Sequence, residues 1–204
     1  DLHSFPTRRS SDLEPGHVLN QPETRFTMGS MNKMFTAISV LKLAQEGKVD
    51  LQAPIGKYLT DYPNPSFAAK LTVHQLLTHT AGAGDVFGPE FMEHRLRLRT
   101  HQDYIDLYGE RDPTFEPGSQ WSYSNYGFVL LGALIEKVSG RSYYDFVRDN
   151  VYVPAGMTAT GSEPNESAPA NLALGYTKLP GSDEWVPNTP TLPYRAGSRS
   201  EERR

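Results

Sequence analysis

The sequence predicts an α+β or mixed α/β fold, because strand-like and helical patterns occur in the same chain. Arg25 to Met28 resembles the end of a strand, and residues 172–178 and 184–186 form two strand-like runs around a turn. Between these regions, apolar residues recur at helical spacing over long stretches. Strands before and after long helices argue against an all-helical fold.

The first predicted helix runs from about Ser30 to Glu46, and Gly47 supplies the left-handed residue that ends it. Its apolar positions are Met31, Met34, Phe35, Ile38 and Leu41. Because apolar residues lie nearly all round this helix, we expect it to be buried.

The next helices are marked by their caps. Thr72 and Gln75 form a capping box that predicts a short helix closing near Gly82. Residues 89–108 mix charged with apolar side chains and predict one or two surface helices.

Residues 115–122 contain Pro117 and Gly118 and are expected to form a loop. This loop leads into an apolar helix, Tyr126 to Val138, that ends at Gly140. Ser142 is the predicted cap of a further helix that reaches about Asn150.

Length and composition limit the functional classes. A chain of 204 residues corresponds to little more than one domain of about 150 residues. A net charge of −4 without a Lys/Arg-rich face gives no footprint for nucleic acid, so we expect a small-molecule or peptide substrate. The absence of cysteine excludes disulfides and thiolate chemistry. The longest apolar run, Gly127 to Ile135, is about half of the ~20 residues that a membrane-spanning helix needs.

Both ends of the chain are expected to be foreign to the protein. Residues 1–13 show no helical or strand period and resemble translated sequencing-adaptor text, and residues 198–204 resemble the start of a similar adaptor translation. Residues 14–197 then form a partial domain.

Several common functional motifs are missing or incomplete. There is no Gly-x-Ser-x-Gly nucleophile elbow and no phosphate loop. Gly82-Ala-Gly84 has Phe87 where a dinucleotide-binding turn needs a third glycine. His74 and His79 are five residues apart and point to different helix faces, so we interpret both as structural rather than as metal ligands.

Ser30 and Lys33 form the first candidate catalytic pair. They are three residues apart at the start of a helix and therefore share a face, and the helix N-terminus favours a developing oxyanion. The spacing recurs at Ser39 and Lys42, which we interpret as a packing serine and a solvated lysine. Taken alone, Ser30 and Lys33 are equally well explained as a capping serine and a surface lysine.

Tyr123 and Asn125 form the second candidate pair. In an extended segment, residues two apart project to one side, so a phenol and a carboxamide can face the same cavity. A phenol near an ammonium group ionises more easily and can accept a proton from a serine hydroxyl. Considered alone, packing by Tyr123 and helix capping by Asn125 is the favoured alternative.

Four strings in fixed order carry a family resemblance: SMNK, VHQLLTHTAG, FEPGSQWSYSNYGFVLLGALIEKVSG and YVPAGM. They closely resemble the serine β-lactamase-like hydrolases related to class C β-lactamases and D-Ala-D-Ala carboxypeptidases. The resemblance spans roughly residues 25–160. It implies an antiparallel sheet with helices on both faces beside an all-helical region, with the active site where they meet.

The resemblance also implies roles for the four candidates. Ser30 would be the nucleophile, Lys33 and Tyr123 the base system, and Asn125 a substrate-positioning residue. The reaction would be acylation of the serine by an amide, β-lactam or ester, followed by hydrolysis or transfer, without metal or organic cofactor. A periplasmic or extracellular location is suggested by the resemblance alone, and no oligomeric state is assigned.

The sequence departs from this family at one point. Its members carry a third motif, Lys-Thr-Gly or a variant such as His-Thr-Gly, on a late strand, and that motif is missing after Asn125. Residues 79–82 are a decoy, because they precede Tyr123 and contain an inserted alanine. Loss of an oxyanion donor lowers rates by about 10²–10³-fold, so we expect this chain, with its C-terminal strands missing, to be poorly active. The alternative function is a non-catalytic domain that binds cell-wall peptide or a β-lactam, although a pure binder has no need for all four residues.

Overall fold

A computed structural model describes residues 20–162, 171–173, 175–178, 181, 183–187 and 201–203. The predicted foreign segment 1–13 lies outside the described residues, and the foreign origin of both ends stays a prediction. The helices are α1 (Asn32–Gln45), α2 (Pro65–Ala68), α3 (Val73–Leu77), α4 (Pro89–His94), α5 (His101–Tyr108), α6 (Asn125–Ser139) and α7 (Tyr143–Val147). The strands are β1 (Arg25–Thr27), β2 (Tyr176–Lys178), β3 (Trp185–Pro187) and β4 (Glu201–Arg203).

The described strands form two small antiparallel sheets. In one, β1 pairs with β4, with Phe26 opposite Glu202. In the other, β2 and β3 form the predicted hairpin, with Thr177 opposite Val186. These pairings and the helices agree with a mixed fold.

The first helix begins later than expected and is not buried all round. A 3₁₀ turn over Gly29–Met31 precedes α1, and Gly47 has the left-handed φ of 71° that ends the helix. One face of α1 is buried and packs against α6 and α7. The opposite face is apolar and about half exposed, at Met31, Met34, Ile38 and Leu41. The expectation of complete burial was wrong because periodicity shows which residues share a face, not what covers it.

The short helix α3 has the predicted capping box. The Thr72 hydroxyl accepts from the Gln75 backbone N–H at 3.2 Å, and the Gln75 side chain accepts from the Thr72 N–H at 2.9 Å. The helix ends at Leu77 rather than near Gly82, because His79 turns the chain with a left-handed φ of 59°. This early end places residues 79–85 in a loop beside the start of α6.

The region 89–108 contains two helices, α4 and α5, where the sequence predicted one or two. Its second helix, α5, buries one face that carries Tyr104 and Tyr108 and exposes Gln102 and Asp106 on the other, as a surface helix does. A capping box of Thr100 and Asp103 begins α5.

The apolar helix α6 lies at the centre of the described core. Eleven of its residues are buried, which matches its continuous apolar sequence. It ends at Gly140 in the left-handed conformation, as predicted. The next helix, α7, is capped by Ser142 and continues as a π-helical turn over Arg148–Tyr152. Among the described residues, no helix combines the length and hydropathy needed to cross a membrane.

Candidate active site

Ser30 lies in the 3₁₀ turn immediately before α1. The preceding Gly29 has a φ of 55°, a conformation that glycine adopts without the steric penalty of a side chain. Ser30 is exposed, and its Oγ accepts a hydrogen bond of 2.8 Å from Tyr123 Oη. The two residues are 93 positions apart in the chain. The fold therefore brings an accessible hydroxyl directly against a phenol.

Lys33 is nearly buried one helical turn after Ser30. It is 7% exposed, and its Nζ donates a 2.8 Å hydrogen bond to Asn125 Oδ1. The same Nζ lies 5.0 Å from the ring centroid of Tyr123 and 5.3 Å from that of Phe128. An ammonium group removed from water needs such partners, and two aromatic faces with one amide oxygen supply them. The lysine is thus held beside the phenol that contacts Ser30.

Tyr123 and Asn125 are positioned by the entry into α6. Ser124 has extended dihedrals, which places the side chains on either side of it on one face, as predicted. The Ser124 hydroxyl accepts from the Gly127 N–H at 2.8 Å and caps the helix. The alternative in which Asn125 caps the helix is therefore wrong: Asn125 is its first residue, and its side chain reaches Lys33.

The loop after α3 packs against the ring of Tyr123 through His79. The His79 ring lies 4.5 Å from the Tyr123 ring at an interplanar angle of 31°, and 5.2 Å from that of Phe128. His79 Nδ1 accepts from the Ser124 N–H at 3.1 Å, and the His79 carbonyl accepts from the Ser122 N–H at 2.9 Å. His79 thus packs directly against Tyr123, in agreement with its interpretation as a structural residue.

The electrostatics of His79 follow from this location. Burial lowers the pKa of His79, the Lys33 ammonium lowers it further, and the Asp85 carboxylate opposes both. A neutral ring is what the structure needs, because Nδ1 can accept from Ser124 only when it carries no proton. No group of three or more His, Cys, Asp or Glu side chains suited to a metal ion occurs within the described part of the chain.

Asp85 is a site residue that the sequence interpretation missed. Its Oδ2 accepts from Asn125 Nδ2 at 3.1 Å, and its Oδ1 accepts from the Asn125 N–H at 3.0 Å and the Val86 N–H at 2.8 Å. A lone aspartate in a Gly-rich loop has no periodic or spacing signal. Its partner Asn125 is 40 positions away, so only the tertiary structure reveals the contact.

The second Ser/Lys spacing is not part of this cluster. Ser39 is fully buried and donates to the carbonyl of Phe35 at 2.8 Å. Lys42 forms a partly exposed ion pair with Glu46 at 3.4 Å. The interpretation of Ser39 as a packing residue and Lys42 as a solvated one is confirmed.

Chemically, the cluster places a serine hydroxyl 2.8 Å from a phenol oxygen, with an ammonium group 5.0 Å from the centroid of the phenol ring. The four residues predicted from the sequence, Ser30, Lys33, Tyr123 and Asn125, form one continuous network. An exposed serine bonded to a phenol beside a buried ammonium is an arrangement suited to nucleophilic catalysis.

The sequence of this chain is similar to those of known proteins. The family model described as Beta-lactamase matches residues 8–199. Penicillin-binding protein 4* of Bacillus subtilis is 30% identical over 190 residues, covering 90% of this chain and 40% of that protein.

Two solved structures are also similar. A penicillin-binding protein from Bacillus halodurans aligns with a TM-score of 0.80 and 33% identity, over 92% of this chain and 59% of the other. A D-stereospecific amidohydrolase from Streptomyces sp. aligns with a TM-score of 0.75 and 34% identity, over 88% and 57% of the two chains.

The chain spans 40% of the length of the Bacillus subtilis relative. The match to the family model nevertheless covers most of the sequence, in agreement with the motifs around Ser30 and Tyr123. The chain therefore belongs to the β-lactamase family of serine hydrolases, with penicillin-binding proteins and amidases among its relatives.

Proposed function

We propose that this chain carries the residues of a serine hydrolase that form an acyl-enzyme on Ser30. The observation that carries the proposal is the 2.8 Å hydrogen bond between Tyr123 Oη and Ser30 Oγ. The Lys33 ammonium lies 5.0 Å from the Tyr123 ring centroid, where its positive charge would stabilise negative charge that develops on the phenol oxygen during the reaction. When the phenol is ionised, the direction of the bond reverses and Ser30 becomes the donor.

The proposed steps conserve atoms and charge. Ser30 Oγ attacks the substrate carbonyl carbon while its proton passes to the Tyr123 phenolate, forming a C–O bond and a tetrahedral oxyanion. Collapse of that intermediate breaks the bond to the leaving amine or alkoxide, which takes the proton from Tyr123. Water then attacks the ester carbonyl, with Tyr123 again accepting and returning a proton, and Ser30 is released.

Lys33 and Asn125 support these steps in the proposal. The Lys33 ammonium stabilises the negative charge on the Tyr123 oxygen electrostatically. Asn125 holds Lys33 through its Oδ1, and contact of its side-chain NH₂ with a substrate carbonyl is a second role that we propose for it.

The proposed substrate is an amide, a β-lactam or an ester. Amide substrates are favoured by the likeness to a D-stereospecific amidohydrolase at 34% identity. We also propose that the 204-residue chain turns over slowly, because no Lys-Thr-Gly or His-Thr-Gly follows Asn125 to supply the second oxyanion donor that the family resemblance implies.

The second candidate function is a domain that binds cell-wall peptide or a β-lactam without reaction. It is favoured by the likeness to proteins that are named as penicillin-binding. The hydrogen bond between Tyr123 and Ser30 and the ammonium of Lys33 beside the Tyr123 ring weigh against it, because binding alone does not require these contacts.

Intact-mass spectrometry distinguishes the two functions. The folded chain is incubated with benzylpenicillin or with p-nitrophenyl acetate, beside the Ser30→Ala and Ser39→Ala variants. The proposal predicts a mass increase equal to the acyl group in the wild type and in Ser39→Ala, and none in Ser30→Ala. Saturable binding of penicillin without any adduct would support the non-catalytic alternative.

A further inference from the structure

Asp85 contacts Asn125 with both of its carboxylate oxygens. One oxygen accepts from the backbone N–H of Asn125 at 3.0 Å, and the other accepts from its side-chain Nδ2 at 3.1 Å. Such a two-point contact fixes both the position of the backbone and the torsion of the side chain.

This contact determines which way the Asn125 amide faces. An ionised carboxylate only accepts hydrogen bonds, so the NH₂ end of the amide must face Asp85. The carbonyl end then faces the opposite way, where Lys33 Nζ donates to it at 2.8 Å. A flipped amide would set oxygen against carboxylate and NH₂ against ammonium, two repulsive contacts at once.

The location of the contact adds an electrostatic contribution. Asn125 is the first residue of α6, where unpaired N–H groups and the positive end of the helix dipole favour an anion. Asp85 is half-buried at this point and also accepts from the Val86 N–H at 2.8 Å. The carboxylate is therefore itself held in place.

We propose that Asp85 is a positioning residue that sets the orientation of the Asn125 amide and through it holds Lys33 Nζ beside Tyr123 and Ser30. This inference rests on the proposed acylation of Ser30, since its consequence for rate is expressed through that reaction. Asp85 is not itself placed against the reacting atoms.

The Asp85→Asn variant tests the orientation directly. The new amide oxygen can still accept the two backbone N–H groups, which leaves its NH₂ facing Asn125 Nδ2. Asn125 must then flip, and its contact with Lys33 is lost. Because displacement of a catalytic group by about 1 Å lowers rates by about 10²-fold, we expect acylation by p-nitrophenyl acetate to slow by about that factor.

An exchange of the two side chains provides the rescue. In the double variant Asp85→Asn/Asn125→Asp, the NH₂ of residue 85 again donates to residue 125, whose second oxygen accepts from Lys33. A hydrogen bond to a charged group is worth about one to two powers of ten, so acylation should recover at least about tenfold over Asp85→Asn. The double variant should also exceed Asn125→Asp alone, in which two carboxylates face each other.

Controls separate positioning from folding. Asp61→Asn removes an exposed carboxylate that pairs with Lys137 at 3.5 Å, and it should leave acylation unchanged. Thermal unfolding of each variant shows which ones fold. If Asp85→Asn does not fold, the comparison of the double variant with Asn125→Asp carries the test. Wild-type rates in Asp85→Asn, or no gain in the double variant over both single variants, would overturn the inference.

A second readout is independent of catalysis. The ¹⁵N resonance of the Lys33 ammonium group is sharp only while its protons are hydrogen-bonded and exchange slowly. It should be visible in the wild type and the double variant and lost in Asp85→Asn. If the wild type forms no adduct, the proposed function fails, and this resonance alone decides the orientation of Asn125: its persistence in Asp85→Asn would overturn the inference.

Discussion

Replacing Tyr123 by phenylalanine removes one hydroxyl and little else. The ring remains, and with it the 4.5 Å contact with His79 and the 5.0 Å contact with Lys33 Nζ. What disappears is the oxygen that lies 2.8 Å from Ser30 Oγ. The variant therefore isolates the role of the phenol as a proton carrier from its role in packing.

The expected size of the effect follows from this geometry. A positioned general base contributes about 10²–10⁴-fold to a rate, or about 3–5 kcal/mol of activation free energy. Tyr123 is 39% exposed, so loss of its hydroxyl leaves no buried polar atom without a partner. Its free energy of unfolding should change by less than about 1 kcal/mol.

The assay is the rate of acyl transfer from p-nitrophenyl acetate, followed by intact mass at timed intervals. Tyr58→Phe is the matched control, because it removes a phenol that accepts from the Asp50 N–H at 2.7 Å. We expect Tyr123→Phe to acylate at least about 10²-fold more slowly and Tyr58→Phe to match the wild type. If Tyr123→Phe acylates within threefold of the wild type while Lys33→Met does not react, Tyr123 is not the proton acceptor.

Three further changes test the support of the site. Gly82→Ala forces a left-handed alanine whose Cβ would lie 2.4 Å from the Phe115 carbonyl oxygen, so it should lower the free energy of unfolding by about 2–4 kcal/mol in denaturant titrations. Because the pKa of His79 is lowered on folding by burial and by Lys33, the unfolded state binds the proton more readily; thermal stability should fall as pH decreases from about 7 through the lowered pKa. His79→Asn, which tolerates the left-handed backbone, should flatten that dependence, and an unchanged curve would contradict the assignment. Ser39→Ala should leave acylation unchanged, since Ser39 bonds only within its own helix in the contacts seen here.

Local features of the fold were predictable from the sequence. Capping chemistry and periodicity act within a few residues, so the Thr72 box, the α6 helix and its Gly140 end all follow from neighbouring residues. Ser30 and Lys33 could be paired for the same reason, because one helical turn joins them.

Contacts across the chain were not predictable in this way. The Asp85 carboxylate and the Asn125 amide meet only because the loop after α3 folds against the start of α6. The left-handed turn at His79 ends α3 early and makes that approach possible. The sequence does not predict this turn, because the residue that adopts it is neither glycine nor asparagine. The exposed apolar face of α1, from Met31 to Leu41, is a second example, because the residue pattern does not show which part of the chain covers a face.

The central claim is that Ser30 becomes acylated, and peptide mapping tests it most directly. Trypsin cleavage after Arg25 and Lys33 releases the peptide Phe26–Lys33, in which Thr27 and Ser30 are the hydroxyl-bearing residues. After reaction with p-nitrophenyl acetate, fragment ions should place the added acetyl group on Ser30, and the modification should be absent from Ser30→Ala. An acetyl group found on Thr27 or on lysines alone, with Ser30 unmodified in the folded chain, would contradict the account.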